Sequence, residues 1–393
     1  MKKIMILGAS ILQLPAIEQA KKMGLEVVAV DMNPDAVGFK VVGVIKEVIS
    51  TIDAYAVLEA AKKHNICGII TVASDMPMRS VALVAKELSL VGISEDTAIK
   101  ATNKAQMRQS FYENGVASPR SFNISNKFEL IKAIEKIQGK FIIKPADNSG
   151  SRGVCLVNNF LEAERVYEYS RKYSRNGDVV VEEFMTGPEV SVELLAIDEK
   201  YHVLQVTDKL TTGAPHFVEI GHSQPSTLPK DDLEKIKTLA VQAAKAVGIK
   251  NGPAHAEIIL TKDGPKMVEI GARMGGGCIT THLVPLSTGI NMTKAVIQIA
   301  LGESPNVESE YEKGSAIRFI IPPVGKVRDI QGVEEAKKIC GIKSVEIQCE
   351  IGQELGELES GASRIGYVIA QADSVSDAII ICEKALQKIK ILV

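Results

Sequence analysis

The chain has 393 residues, a formal net charge of −2 and 46% hydrophobic residues, the composition of a globular protein with several domains. Near-neutrality without a dense Lys/Arg run argues against nucleic acid as a partner, and no stretch approaches the length of a membrane span. The six cysteines are scattered with no Cys-x-x-Cys pair, which fits free thiols in a reducing cytoplasm and gives no reason to expect zinc.

The apolar runs 3–8 and 25–30 read as strands around a helix at 14–23 that stops at Gly24. The first run is too short for a signal peptide and passes through Gly8-Ala9-Ser10 into a helical pattern, so it is a first strand. A helix at 53–64, a strand at Ile66–Val72 and a helix at 77–89 come next, and this alternation predicts a parallel sheet with right-handed crossovers. Asp31 stands 23 residues after Gly8, as in a dinucleotide site, but Ser10 and Gln13 occupy positions that need glycine. A Rossmann-like unit without NAD is expected.

A helical segment spans Ser94–Gly115 and ends at the turn Ala117-Ser118-Pro119. After a helix at 126–138, the strand Ile142-Ile143-Lys144-Pro145 opens into a small-residue loop through Gly153. Small side chains let backbone N–H groups approach a phosphate, and Lys144 adds a point charge. No Gly-Lys-Ser/Thr closes the loop, so it is not a P-loop, and read alone it equally describes a hairpin with an exposed lysine. A helix at 160–173, the strand Val179–Glu183 and a second strand beyond Gly187-Pro188-Glu189 come after it. Residues 194–228 are expected to hold strands and a polar loop, Lys209–Ser223, before a long helix at 230–247. Alternating strands at 254–260 and 266–270 flank the turn Lys262-Asp263-Gly264, and beyond them lie the cluster Gly275-Gly276-Gly277 and a helix near 291–301. Ser315–Val393 reads as a separate α+β unit with a helix at 374–388.

Glu257 and Glu269, 12 residues apart on these two strands, can share one face of a hairpin. Two carboxylates on one face are costly unless a cation lies between them, and oxygen ligands that leave room for phosphate suit Mg²⁺. Four residues after Glu269, the fork of Arg273 suits a phosphoryl group or a planar carboxylate. Singly, each of these is an ordinary surface charge; their order carries the information.

That order, Lys104, then Lys144-Pro145 with its Ser/Gly loop, Glu182-Glu183-Phe184, Gly187-Pro188-Glu189, Glu257 and Glu269 to Arg273, resembles the ATP-grasp superfamily of carboxylate–amine ligases over residues 1–300. Within it the chain looks like the branch holding biotin carboxylase, carbamoyl-phosphate synthetase and the L-amino acid ligases. The resemblance implies an α/β fold: a Rossmann-like pre-ATP-grasp domain over 1–94, an ATP-grasp domain of two α+β subdomains over 95–310 with a lid at about 118–186, and a C-terminal α+β domain over 311–393. It implies that Lys104 and Lys144 contact ATP phosphates, under a closing loop that contains Ser149 and Ser151. Glu183 and Met185 would meet adenine with Glu182 nearby, Glu189 would take the ribose, and Glu257 and Glu269 would hold Mg²⁺, with Mn²⁺ as a substitute. Arg273 and Lys144 would be the catalytic residues.

Ile317-Arg318-Phe319, Gly325-Lys326-Val327 and Ser363-Arg364-Ile365-Gly366 resemble the C-terminal domain of L-amino acid ligase-like proteins. By the same resemblance His216, Glu219 and His222 face the substrate. The implied reaction is phosphorylation of a small-molecule carboxylate, then displacement of phosphate by an amine, most like an L-amino acid ligase. A purine-pathway ligase (phosphoribosylamine–glycine ligase-like, or a bicarbonate-using carboxylase) and a silent nucleotide-binding module stay open. The resemblance implies no nucleic acid or membrane partner and allows a homodimer. One departure stands out: many relatives carry Asn, a further metal ligand, at the position of Gly271. The chain also has no biotin-carrier region, duplicated halves or amidotransferase motif, which argues against the two large relatives as functions.

Overall fold

The computed structural model describes residues 1–393 except Gln138, Ser149, Gly150, Ser151 and Pro215. Runs such as Ile4–Leu7 and Val27–Val30 have no polar face to offer water, so they sit inside a parallel sheet covered on both sides. Strands β1 (Lys3–Leu7), β2 (Glu26–Val30), β3 (Val44–Glu47) and β4 (Gly68–Thr71) lie in the order β3-β2-β1-β4, all parallel. The edge strand β3 escapes a sequence reading because it is half polar and only partly buried. Helices α1 (Leu14–Lys22), α2 (Ala54–His64) and α3 (Pro77–Glu87) complete this unit. Its core runs on into the rest of the chain: Met5, Leu7 and Val57 belong to one buried cluster with Met107, Phe111, Val192, Ile236 and Met267.

The helical segment Ser94–Gly115 holds two helices, α4 (Glu95–Thr102) and α5 (Lys104–Glu113). Asn103 between them is extended (φ −131°, ψ 112°), and its side chain accepts from the Gln106 N–H, so it ends one helix and caps the next. The break places Lys104 at the first position of α5, where its backbone N–H donates to the Ala146 carbonyl at 2.7 Å.

Strands β5 (Ser121–Ile124), β6 (Phe141–Pro145), β7 (Cys155–Val157) and β8 (Val179–Glu183), with helices α6 (Lys127–Ile137) and α7 (Phe160–Lys172), form an antiparallel unit in the order β5-β8-β6-β7. It has a core of its own, including Ile124, Phe141, Ile143, Tyr167 and Val181. Facing it is an eight-stranded sheet whose first part is β9 (Glu189–Ile197), β10 (Lys200–Thr211), β11 (Glu219–Gln224), β12 (Gly252–Thr261) and β13 (Gly264–Gly271), backed by α8 (Lys230–Val247).

Two expectations are corrected here. Lys209–Ser223 is mostly strand: Lys209 pairs with His222 and Asp208 with Ser223, which leaves a connection of only 212–218. Its polar composition disguised it, because Thr207, His222 and Gln224 are polar yet fully buried. The C-terminal unit is α+β with its own core, but it is not separate. β14 (Gly314–Phe319) pairs with β11, and the strands Gly366–Ala372 and Ile342–Ile347 extend the same sheet. Among the described residues no helix is long and apolar enough to cross a membrane.

Candidate active site

Between the antiparallel unit and the eight-stranded sheet lies a cavity of about 300 Å³. Lys104, Lys144, Glu182, Glu183, Met185, Glu189, Glu257 and Glu269 all line it. Residues expected to act together from 104 to 269 therefore meet in one cleft.

The β6–β8 ladder sets the first cluster. Ile142 is opposite Glu182, so Lys144, two residues on, projects from the same face of the sheet. Lys144 Nζ lies 2.6 Å from Glu182 Oε2, and Arg108 donates from Nε to Glu182 Oε1 at 2.7 Å. Burial opposes ionisation of Glu182, but the two cations outweigh it and bring its pKa down to about 2. Burial, together with the neighbouring charges of Arg108 and Lys104, pulls Lys144 below its ordinary value despite Glu182. Glu182 thus holds Lys144 at the rim of the cavity. Glu183, one residue on, pairs instead with Lys266 at 2.8 Å.

The second cluster sits on the β12–β13 hairpin. Glu257 and Glu269 are directly opposed in the ladder, and each faces a lysine: Lys209 at 3.3 Å from Glu257 and Lys104 at 2.9 Å from Glu269. Lys209 also lies 2.6 Å from Glu189 and 3.1 Å from Glu219. Burial disfavours the Lys209 charge, yet Glu257, Glu189 and Glu219 together hold its pKa well above the usual lysine value. Behind this cluster, buried His255 bridges Glu193 at 2.6 Å and Glu257 at 3.3 Å. Burial works against its protonation, but Glu193 prevails and lifts the imidazole to about 9.

Three sites fall elsewhere. Arg273 does not line the large cavity; it is buried against Asp75, to which it donates from Nε at 2.7 Å. His216 is exposed and outside the lining, although its neighbours Phe217 and Glu219 are in it. His222, expected in a loop, is a fully buried strand residue that does not line the cavity; Glu219, which does, lies 3.6 Å away. Ser149 and Ser151 lie outside the described residues.

Sequence reasoning missed Arg108, Lys209, Asp75 and Arg364. Alternation through Val203-Leu204-Gln205-Val206-Thr207 pointed to a strand long enough to carry Lys209. Arg364 had no such signal: it comes from the C-terminal unit, packs 3.8 Å over the Phe319 ring and reaches the cavity beside Glu219.

The model of the ATP-grasp domain matches residues 137–282, and that of the L-amino acid ligase C-terminal domain 2 matches residues 318–393. The chain carries an ATP-grasp domain and is an ATP-dependent ligase. Its ligase relatives are ATP-dependent and form C–N bonds, and ATP and Mg²⁺ are supported at the level of the family. The ligase is 27% identical to the uncharacterised protein y4rH of Sinorhizobium fredii, over 84% of this chain and 68% of that one. It is 25% identical to a phosphoribosylamine–glycine ligase of Methanococcus vannielii, over 72% of this chain and 70% of that one. The crystal structure of an L-amino acid ligase from Bacillus licheniformis superposes with a TM-score of 0.87 at 25% identity, covering 100% of this chain and 98% of that one.

The donors present in the ATP-grasp ligase fit Mg²⁺. Glu257 and Glu269 offer two hard carboxylates on one hairpin, and among the described residues no cluster of three or more side-chain ligands surrounds them. Mg²⁺ characteristically takes one or two carboxylates and completes its shell with phosphate oxygens and water.

Proposed function

We propose that this ligase joins a small carboxylic acid to an amine by way of an acyl phosphate, with amino acids as substrates. The observation that carries the reading is one cavity lined both by the nucleotide set (Lys104, Lys144, Glu183, Met185, Glu189) and by acceptor-side groups, Glu219 and Arg364, from β11 and the C-terminal unit. The match of residues 318–393 to the L-amino acid ligase C-terminal domain supports the choice of amino acids over a ribonucleotide amine. In this reading the chain divides at about 94 and 310, with the ATP-grasp domain between.

Lys104 and Lys144 receive the phosphates, the backbone at Glu183 and Met185 takes adenine, and Glu189 takes the ribose. Glu257 and Glu269 would hold Mg²⁺, which supplies charge neutralisation for the phosphate oxygens. A γ-phosphoryl transfer to a carboxylate needs positioning and charge stabilisation more than covalent help, and this cluster of cations on rigid strands provides both. Glu219, whose carboxyl is kept well below its usual pKa by Lys209 and His222 against the opposing effect of burial, stays anionic and suits an ammonium group. Arg364 beside it suits a carboxylate.

The test is ADP release with the L-amino acids singly and in pairs, run beside phosphoribosylamine with glycine. Release that requires an amino acid pair supports the proposal; release only with phosphoribosylamine and glycine makes the ligase a purine-pathway enzyme. Release with neither set would leave a silent nucleotide-binding module. Lys144→Ala is expected to weaken ATP binding by at least about tenfold, the scale of one charge-assisted hydrogen bond, and to lower the melting temperature as well, because it removes one partner of the buried ion pair with Glu182. Unchanged affinity in a calorimetric titration would remove Lys144 from the phosphate site.

A further inference from the structure

The N-terminal unit reaches the site through one short loop, Val72-Ala73-Ser74-Asp75, directly after β4. The loop is fixed from several sides. Gln13 donates from Nε2 to the Val72 carbonyl at 2.6 Å. Val72 forms a parallel bridge with Met274, and the Ala73 N–H donates to the Met274 carbonyl at 3.2 Å. Ala73 itself is left-handed at φ +58°, a conformation that a residue with a Cβ adopts only when its surroundings enforce it. Held this way, the loop runs along the segment after β13 and delivers Asp75 to Arg273.

The contact is two-pronged: Arg273 donates from Nε to Asp75 Oδ1 at 2.7 Å and from Nη2 to Oδ2 at 3.4 Å. Its remaining nitrogen donates to the Met274 carbonyl at 3.4 Å. Residue 271, a glycine, lies against this pair. A Cβ there would stand 3.1 Å from Asp75 Oδ1 and 3.2 Å from both Cζ and Nε of Arg273, tighter than ordinary contact. Asp75 also borders a small cavity with Lys104, Asn148 and Glu269, so it adjoins the nucleotide end of the site.

We propose that Asp75 is a positioning residue: it fixes the Arg273 guanidinium for the phosphoryl group being transferred, and Gly271 is bare so that the pair can form. This rests on the ATP-grasp reading of the site. Both carboxylate oxygens of Asp75 accept from the one guanidinium. The contribution of Asp75 is orientation. A cation fixed before reaction pays no reorganisation when charge develops beside it.

The experiment is a calorimetric titration of the full chain with ADP and Mg²⁺, then of the ADP-loaded chain with inorganic orthophosphate. Asp75→Asn is expected to bind ADP within about twofold of the unmodified chain and orthophosphate about tenfold more weakly, the loss of one charge-assisted hydrogen bond. If Asp75→Asn does not fold, Gly271→Ala takes its place with the same expected result, since it crowds the pair without removing either charge. Orthophosphate affinity that is unchanged or tighter overturns the inference, as does an ADP-loaded unmodified chain that binds no orthophosphate. An unmodified chain that fails to bind ADP overturns the nucleotide reading as well, and so separates the two failures.

Discussion

Glu182→Gln is expected to cost the fold roughly 3–5 kcal/mol, the usual effect of removing one partner from a buried ion pair. Glu182 is 3% exposed and is the acid shared by Arg108 at 2.7 Å and Lys144 at 2.6 Å. Glutamine keeps the shape but leaves two buried cations facing each other. The same residue sets an acid limb. Its carboxyl titrates near 2 in the folded protein against an ordinary value of 4.5, so its contribution is present above pH 4.5 and is lost as the pH falls towards 2. A shift of that size is worth on the order of 3 kcal/mol, in line with the mutational figure. Urea denaturation between pH 5 and pH 3 reads both effects. The unmodified chain should lose stability more steeply than Glu182→Gln over that range, and parallel curves with similar midpoints would refute the assignment. ATP affinity should fall too, because Lys144, already depressed by burial and by two cations, loses the acid that keeps it charged.

How much of this was legible in the sequence depends on how far each residue lies from its partner and on which kind of element carries it. Lys144 could be read because a strand ends on it beside a small-residue loop, and Glu257 and Glu269 because each sits in a clean two-residue alternation. The hairpin then brings them opposite each other with a short turn and no further information. Lys209 was hidden by a rule that normally works, that a polar run is a loop. Here the run holds the facing ends of two central strands with buried polar side chains, Gln224 donating to Thr207 at 2.8 Å and Lys209 meeting three acids. His216 misled in the opposite direction, since a histidine next to cavity-lining residues need not point inwards. Asp75 and Arg273 are 198 residues apart, in different units, and no local pattern links them. Gly271 was visible only as a departure from the resemblance; that a Cβ there would stand 3.1 Å from Asp75 Oδ1 needs the folded chain.

Glu269→Gln is expected to lower ADP-forming turnover by about 10²–10³-fold, as when one preorganised charge is removed from a transition state. It should also raise the Mg²⁺ needed for half-maximal rate by at least about tenfold. Loss of activity alone would not single out metal binding, because Glu269 also pairs with Lys104 at 2.9 Å and its charge helps keep that buried lysine protonated. Nucleotide binding separates the two roles. If Glu269 is a metal ligand, Glu269→Gln should lose the gain in ADP affinity that Mg²⁺ confers while binding metal-free ADP nearly as the unmodified chain does. A substitution that acts only through the lysine behaves differently: Lys104→Met should weaken ADP equally with and without Mg²⁺. Calorimetric titrations of the two variants, each with Mg²⁺ and with EDTA, give the four affinities required. Full turnover of the unmodified chain in EDTA, or an unchanged Mg²⁺ dependence in Glu269→Gln, would mean that the opposed glutamates of β12 and β13 serve the lysines and not a metal.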